Sequence, residues 1–185
     1  MTEIESLLAK AAAQGRFSLS EAEVYDVLDR LGLETPKRRL VELKRLPLPA
    51  VELESLLSSL PGEKVVLKVS SHKTLHKTES GGVKVCAKAE AAARLSELKA
   101  KFQDAHAVLV TEFVPHAVFS LGQELMLGAR ADKAFGPVIT LGVGGTDAEG
   151  LTSALKPGFS PANAAVKLAA DSGAWQRFLD RAWVW

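Results

Sequence analysis

Residues 65–83 read VVLKVSSHKTLHKTESGGV. Lys64 to Ser70 is rich in β-branched residues and predicts a strand, as does Val83 to Lys88. Between them, Ser71 to Gly82 is a polar loop with two histidines that ends in paired glycines. Lys68 sits in the middle of an apolar strand. It must either reach the strand's exposed face or meet an anion, because an unpaired buried charge is costly. The loop adds Lys73, Lys77 and hydroxyls, and Gly81 and Gly82 let backbone N–H groups approach a ligand. These are the ingredients of a phosphate-cradling loop, although a paired glycine after polar residues, taken alone, is more often a plain hairpin turn. The pattern is not the G-x-x-x-x-G-K-[ST] of a P-loop. His72 and His76 stand four apart, but the loop is not predicted helical and no third ligand is near, so they are not read as a metal pair.

Upstream, Thr2 to Gln14 predicts a helix with a Thr2–Glu5 capping box and a shared face of Ile4, Leu7, Leu8 and Ala11. A second helix opens at Ser20, with Glu23 as box partner, and closes at Gly32, where Leu33 folds back on Leu28. Arg39 to Leu43 predicts a short strand, and Ala50 to Leu60 a helix after the Pro47–Pro49 turn.

Downstream, Ala89 to Gln103 predicts an amphipathic helix and Ala107 to Val114 an apolar strand ending at Pro115. Gln123 to Arg130 and Pro137 to Val143 predict two strands joined by a turn containing Asp132 and Gly136. Pro161 to Ala170 and Ala174 to Ala182 predict helices. Glu112 at its strand end can meet a purine edge or simply finish a strand. Glu124 and Arg130 share a face at the period of two, as a structural pair or as groups directed at ribose and phosphate. Gly142, Gly144 and Gly145 form a glycine turn that is not a G-x-G-x-x-G fingerprint. Mixed order with neighbouring strands points to α/β lobes of mainly antiparallel sheet.

The chain has 185 residues, 47% of them hydrophobic and 24% charged, with a net charge of +1. That suits one domain or two small lobes and supplies no basic field for nucleic acid. One cysteine, Cys86, forms no internal disulfide and fits a reducing, cytoplasmic setting. No apolar run reaches the roughly 18 residues of a membrane span.

In order, these segments resemble the ATP-grasp domain of ADP-forming (nucleoside-diphosphate-forming) acyl-CoA synthetases, the acetate–CoA ligase beta subunit family. Leu19-Ser20-Glu21-Ala22-Glu23 through Leu31-Gly32-Leu33 resembles the family's LSE-x-E followed by YGIP. Residues 65–83 resemble VVLKVxSPDIxHKSDxGGV, and Glu112 to Pro115 resembles its QEMVP-like hinge. Gln123 to Gly145 is similar to ELIVGxxxDxxFGPVxxxGxGG, with Asp132, Phe135, Gly136, Pro137, Gly142, Gly144 and Gly145 in place. The likeness covers roughly residues 16 to 150.

The resemblance implies ATP-grasp lobes: a helical segment and first part of the domain at 1–60, a small nucleotide lobe at 61–115 and an incomplete second lobe at 116–185. It implies that Lys68 binds the α/β phosphates of ATP, that Glu79, Gly81 and Gly82 belong to the loop over the triphosphate, and that Glu112 with the backbone of Phe113 and Val114 holds adenine. Glu124 would line the ribose side, and His76 would relay a phosphoryl group. A CoA-binding/ligase domain or alpha subunit is the implied partner. Two departures stand out. His72-Lys73 replaces the family's Pro-Asp, and no E-x-D-x-N-P segment, whose side chains hold Mg²⁺, is found. Asp147 and Glu149 do not match it, so no metal ligand is assigned and the Mg²⁺ site is expected to be incomplete. A subunit of a working synthetase, a degenerate nucleotide-binding module and a regulatory domain all fit these residues.

Overall fold

The computed structural model describes residues 2–71, 81–115, 124–145, 148, 161–167 and 171–182. The chain divides into two compact units, Met1–Pro115 and His116–Trp185.

The first unit opens with helix α1 (Glu3–Ala13), whose Thr2–Glu5 capping box forms as expected. Helix α2 (Glu21–Arg30) is capped by Ser20, and Glu23 reaches back to the Ser20 N–H at 2.7 Å. At its end Gly32 adopts φ +77°, which only glycine takes without strain. The Leu33 N–H then donates to the Leu28 carbonyl at 3.0 Å, closing the helix. Strand β1 (Arg38–Glu42), helix α3 (Ala50–Ser58), strands β2 (Lys64–Ser70) and β3 (Val83–Ala87), helix α4 (Ala91–Lys101) and strand β4 (Ala107–Glu112) complete the unit. The four strands form one antiparallel sheet in the order β1-β4-β2-β3.

Directly opposed residues share a face. One face carries Val41, Val65, Leu67, Val69, Cys86, Val108 and Val110, all in the core with Leu95 and Leu98 of α4 and packed by Leu53, Leu56 and Leu57 of α3. Each fully buried Leu or Val here contributes about 1.5–3 kcal/mol. The other face carries Val66, Lys68, Leu109, Thr111, Arg38, Leu40 and Val85. It is only partly covered: Leu40 and Val85 are 48% and 54% exposed.

In the second unit, β5 (Leu125–Asp132), β6 (Gly136–Val143) and β7 (Ala162–Ala165) make an antiparallel sheet in that order. The β5–β6 turn is set by Asp132, whose Oδ1 accepts from the N–H groups of Ala134 and Phe135, and by Gly136 at φ +74°. Helix α5 (Ser172–Ala182) buries Phe178 and Ala182 with Ala162, against Ile139, Leu141 and Ala164.

The helix expected over Pro161–Ala170 is not formed where described: Ala162–Ala165 is a strand. Alanines favour helix locally, but here the β6 edge offers ladder bonds. The Asn163 side chain is also tied across the strands, its Oδ1 accepting from Thr140 at 2.7 Å. Tertiary pairing overrides local propensity.

Candidate functional site

Lys68 lies on the half-open face of the first sheet, directly opposed to Val83 on one side and Leu109 on the other. It is partly buried and paired. Its Nζ donates to Glu21 Oε1 of α2 at 2.5 Å, and the two side chains are 26% and 32% exposed. Tyr25, one turn along α2, donates its hydroxyl to the same carboxylate oxygen at 3.2 Å. Burial acts to lower the Lys68 pKa, but the hydrogen bond and charge of Glu21, aided by Tyr25, outweigh it, and the pKa ends above the ordinary lysine value. Lys68 is therefore a fixed ammonium at neutral pH.

The same face continues into a second cationic group. Arg38 donates to Asp26 at 2.5 Å and Asp29 at 2.6 Å, and its guanidinium lies 5.1 Å from the centre of the Tyr25 ring. Tyr25 thus sits between Lys68 and Arg38, and α2 lies along this face by polar contacts.

The loop after β2 is pinned at both ends. The Val69 N–H donates to the Gly82 carbonyl at 2.8 Å, so Gly81 and Gly82 emerge beside Lys68. Gly81 has φ +73°, and a Cβ there would stand 3.0 Å from the Lys101 ammonium. At the other end the Ser70 hydroxyl and His106 Nε2 are 3.1 Å apart, and the His106 N–H donates to the Ser70 carbonyl. His76 and Glu79 lie outside the described residues.

Glu112 ends β4. Its carboxylate accepts from the Lys37 N–H at 2.5 Å and its own N–H donates to the Lys37 carbonyl at 2.9 Å. The side chain of Glu112 therefore fixes the approach to β1. By strand parity, Glu112 belongs to the core face and Phe113 to the Lys68 face, where Lys64 Nζ sits 5.9 Å from the Phe113 ring centre. Val114 follows, 49% exposed. The structure thus brings Lys68, Gly81, Gly82, Phe113 and Val114 to one sheet and its margin.

Glu124 belongs to the second unit. Its carbonyl accepts from the Gly144 N–H at 2.7 Å. A Cβ on Gly144 would come within 2.9 Å of the Leu125 backbone, and one on Gly145 (φ +85°) within 3.0 Å of Glu124 Oε2. The glycine turn is thus packed against Glu124 and Leu125. Arg130 donates to Thr140 at 3.3 Å and Asn163 at 3.2 Å.

Sequence reasoning missed Glu21, Tyr25 and Lys37 as neighbours of the site. One signal was available for Glu21: a lysine in an apolar strand needs an acid, and Glu21 and Tyr25 share a face of α2 at i, i+4.

The ATP-grasp domain family profile matches residues 10–169. The 4-hydroxybutyrate–CoA ligase (ADP-forming) of Nitrosopumilus maritimus is 34% identical over 138 residues, 70% of this chain and 18% of that protein. Acetate–CoA ligase (ADP-forming) I subunit beta of Pyrococcus furiosus is 28% identical over 148 residues, 75% of this chain and 58% of that subunit. The chain therefore spans less than two thirds of either relative. Among solved structures, the dinucleotide-forming acetyl-coenzyme A synthetase 1 of Ca. Korarchaeum cryptofilum, in complex with coenzyme A and Mg-AMPPCP, matches with a TM-score of 0.60 and 26% identity, over 98% of this chain and 71% of that one. With the family profile covering most of its length, this chain belongs to the ATP-grasp domain family.

Proposed function

We propose that this chain is the ATP-binding portion of an ADP-forming acyl-CoA synthetase, exchanging a phosphoryl group between ATP or ADP and a phosphohistidine. The observation that carries the reading is the Lys68 ammonium, held charged on a half-open sheet face with the glycine end of the loop beside it. A polyphosphate needs a fixed cation and close backbone N–H groups. Lys68 would hold the α/β phosphates, with Gly81, Gly82 and Glu79 in the loop over them. Glu112, with the backbone of Phe113 and Val114, would hold adenine, and Phe113 would add an apolar surface. Glu124 would face the ribose.

Among the described residues no group of three or more His, Cys, Asp or Glu could hold a metal. As in the sequence reading, Mg²⁺ would sit on the nucleotide's phosphates, with no ligand assigned to it from this chain. Two of the named relatives support the partner: one is a beta subunit, and the other was solved with coenzyme A. We infer a CoA-binding/ligase domain or alpha subunit as the donor or acceptor of the phosphoryl group, with His76 as its station on this chain. Among the described residues no helix is long and apolar enough to cross a membrane. A cytoplasmic enzyme accords with this reading.

Calorimetry with ATP, ADP and adenosine tests it. Lys68→Ala is expected to weaken ATP binding by roughly 1.5–3 kcal/mol, the range for hydrogen bonds to charged groups, and to leave adenosine unchanged. Equal ATP affinity in the variant would remove Lys68 from the site. In a complex rebuilt with the CoA-binding partner, ATP should leave acid-labile phosphate on His76, and His76→Ala should lose it while still binding ATP. Label that survives in His76→Ala would exclude the histidine.

A further inference from the structure

We propose that Glu21 is the positioning residue for Lys68: it holds the ammonium, through Oε1 and together with Tyr25, where a polyphosphate can reach it. The inference rests on the nucleotide reading and goes beyond it, because it assigns a role to a residue on α2, 47 positions away in sequence from the lysine it controls.

The geometry carries it. Lys68 is a four-carbon chain whose many free rotamers must be frozen to place its ammonium. Glu21 Oε1 at 2.5 Å fixes its end, and the Tyr25 hydroxyl, donating to the same oxygen at 3.2 Å, fixes that oxygen. The ammonium has three donors. One is directed to Glu21 and the Tyr25 hydroxyl also bears on the ammonium, while the side chain remains 26% exposed for a further acceptor to approach. The ordering of the lysine is then complete in the folded protein and need not be supplied at binding.

An opposing term exists. Glu21 is itself an anion, 32% exposed, and repels phosphate. Water at that exposure screens the repulsion, whereas the direct hydrogen bond acts at contact distance. Positioning is therefore expected to outweigh repulsion.

The roles separate experimentally. Glu21→Ala removes both the hydrogen bond and the charge. Glu21→Gln keeps an oxygen at Oε1 for Lys68 and Tyr25 and removes only the charge. Calorimetry with ATP and adenosine on the wild-type chain, Glu21→Ala, Glu21→Gln, Lys68→Ala and the double variant Glu21→Ala/Lys68→Ala reads the difference. Glu21→Ala is expected to weaken ATP about tenfold, equivalent to about 1.4 kcal/mol, with adenosine unchanged. Glu21→Gln should restore most of the loss. In the Lys68→Ala background, Glu21→Ala should have no further effect on ATP. A merely structural role would instead give the same loss in both backgrounds and would lower adenosine affinity too.

ATP binding that needs Lys68 but is indifferent to Glu21→Ala, or tightened by it, would overturn the role of Glu21 and leave the nucleotide reading standing. Additive losses would do the same. A wild-type chain that binds no ATP, or binds it equally well in Lys68→Ala, would overturn the nucleotide reading, and Glu21 with it.

Discussion

Replacing Glu23 by glutamine tests how the helix that carries Glu21 is held. Glu23 works at two points. Its Oε2 accepts from the Ser20 N–H and hydroxyl at 2.7 and 2.9 Å, closing the capping box of α2. The same carboxylate takes Arg16 in a two-pronged pair, at 2.7 Å from Nη1 and 2.6 Å from Nη2. Led by the Arg16 hydrogen bond, these contacts hold its carboxyl at about 2, against 4.5 for an unperturbed group. At full weight that depression corresponds to roughly 3 kcal/mol. Both side chains touch solvent, with 12% of Arg16 and 21% of Glu23 exposed. Screening therefore reduces the figure to about 1 kcal/mol, the upper end for a pair that touches solvent. Glutamine still completes a capping box, so Glu23→Gln removes the charge and one prong of the Arg16 pair while keeping the cap. Because the folded-state pKa is depressed, the contribution is present above 4.5 and lost as pH falls through about 2. Urea unfolding of both proteins along this range should show the wild type more stable by about 1 kcal/mol at neutral pH. The gap should close between 4.5 and 2. A gap that keeps its size down to the acid end, or no gap at neutral pH, would refute the assignment of this charge to the hold on α2.

Gly144→Ala should destabilise the second unit by about 1–3 kcal/mol, the cost of overpacking, because its Cβ would stand 2.9–3.2 Å from Leu125 and Met126 backbone atoms. Gly128→Ala is the control: its Cβ meets only Thr140 at 3.8 Å, and thermal unfolding should barely move. Phe178→Ala should cost about 3–5 kcal/mol, since the ring is 6% exposed and packs edge-on to Trp175 at 5.4 Å. Limited proteolysis should then cut α5 first, and an α5 as resistant as in the wild type would show that its core lies elsewhere.

Local physics was legible and distant pairing was not. The caps of α1 and α2, the strand Lys64–Ser70 and the Asp132–Gly136 turn each follow from residues within a few positions of one another, and each forms as read. The sheet order β1-β4-β2-β3 depends on which strands find each other across the chain, and periodicity does not encode that. The alanine run at 162–165 has helical propensity, and only the β6 edge with the Thr140–Asn163 bond makes it a strand. For Glu112 the sequence identified the position and left the side chain's partner unspecified. Its carboxylate meets the Lys37 backbone 75 residues earlier, a contact of strand β4 with the approach to β1. The need of Lys68 for an anion was readable from its apolar strand. That Glu21 supplies one was not, because acids are common on helix surfaces and only the docking of α2 selects this one.

That docking has an unusual composition, and it bears on the site. None of the ten residues of α2 is buried, and Val24 is 42% exposed. Apolar burial, the usual adhesive of a surface helix, is thus a minor contributor here. The contacts that fasten α2 are ionic or aromatic: Arg16–Glu23 at its start, Glu21–Lys68 and Arg38 with Asp26 and Asp29 along its length, and the Arg38–Tyr25 stack between them. Pairs that remain partly in water contribute about 0–1 kcal/mol each, so the attachment is a sum of small terms and none dominates. All of these contacts except Arg16–Glu23 involve the cations on the open sheet face. The setting of Lys68 and the seating of α2 are therefore one problem: whatever competes for the ammonium also loosens the helix, and whatever seats the helix also orders the ammonium. A hydrophobic seam would have fixed α2 more firmly, but it would have taken from the lysine the carboxylate that Glu21 supplies.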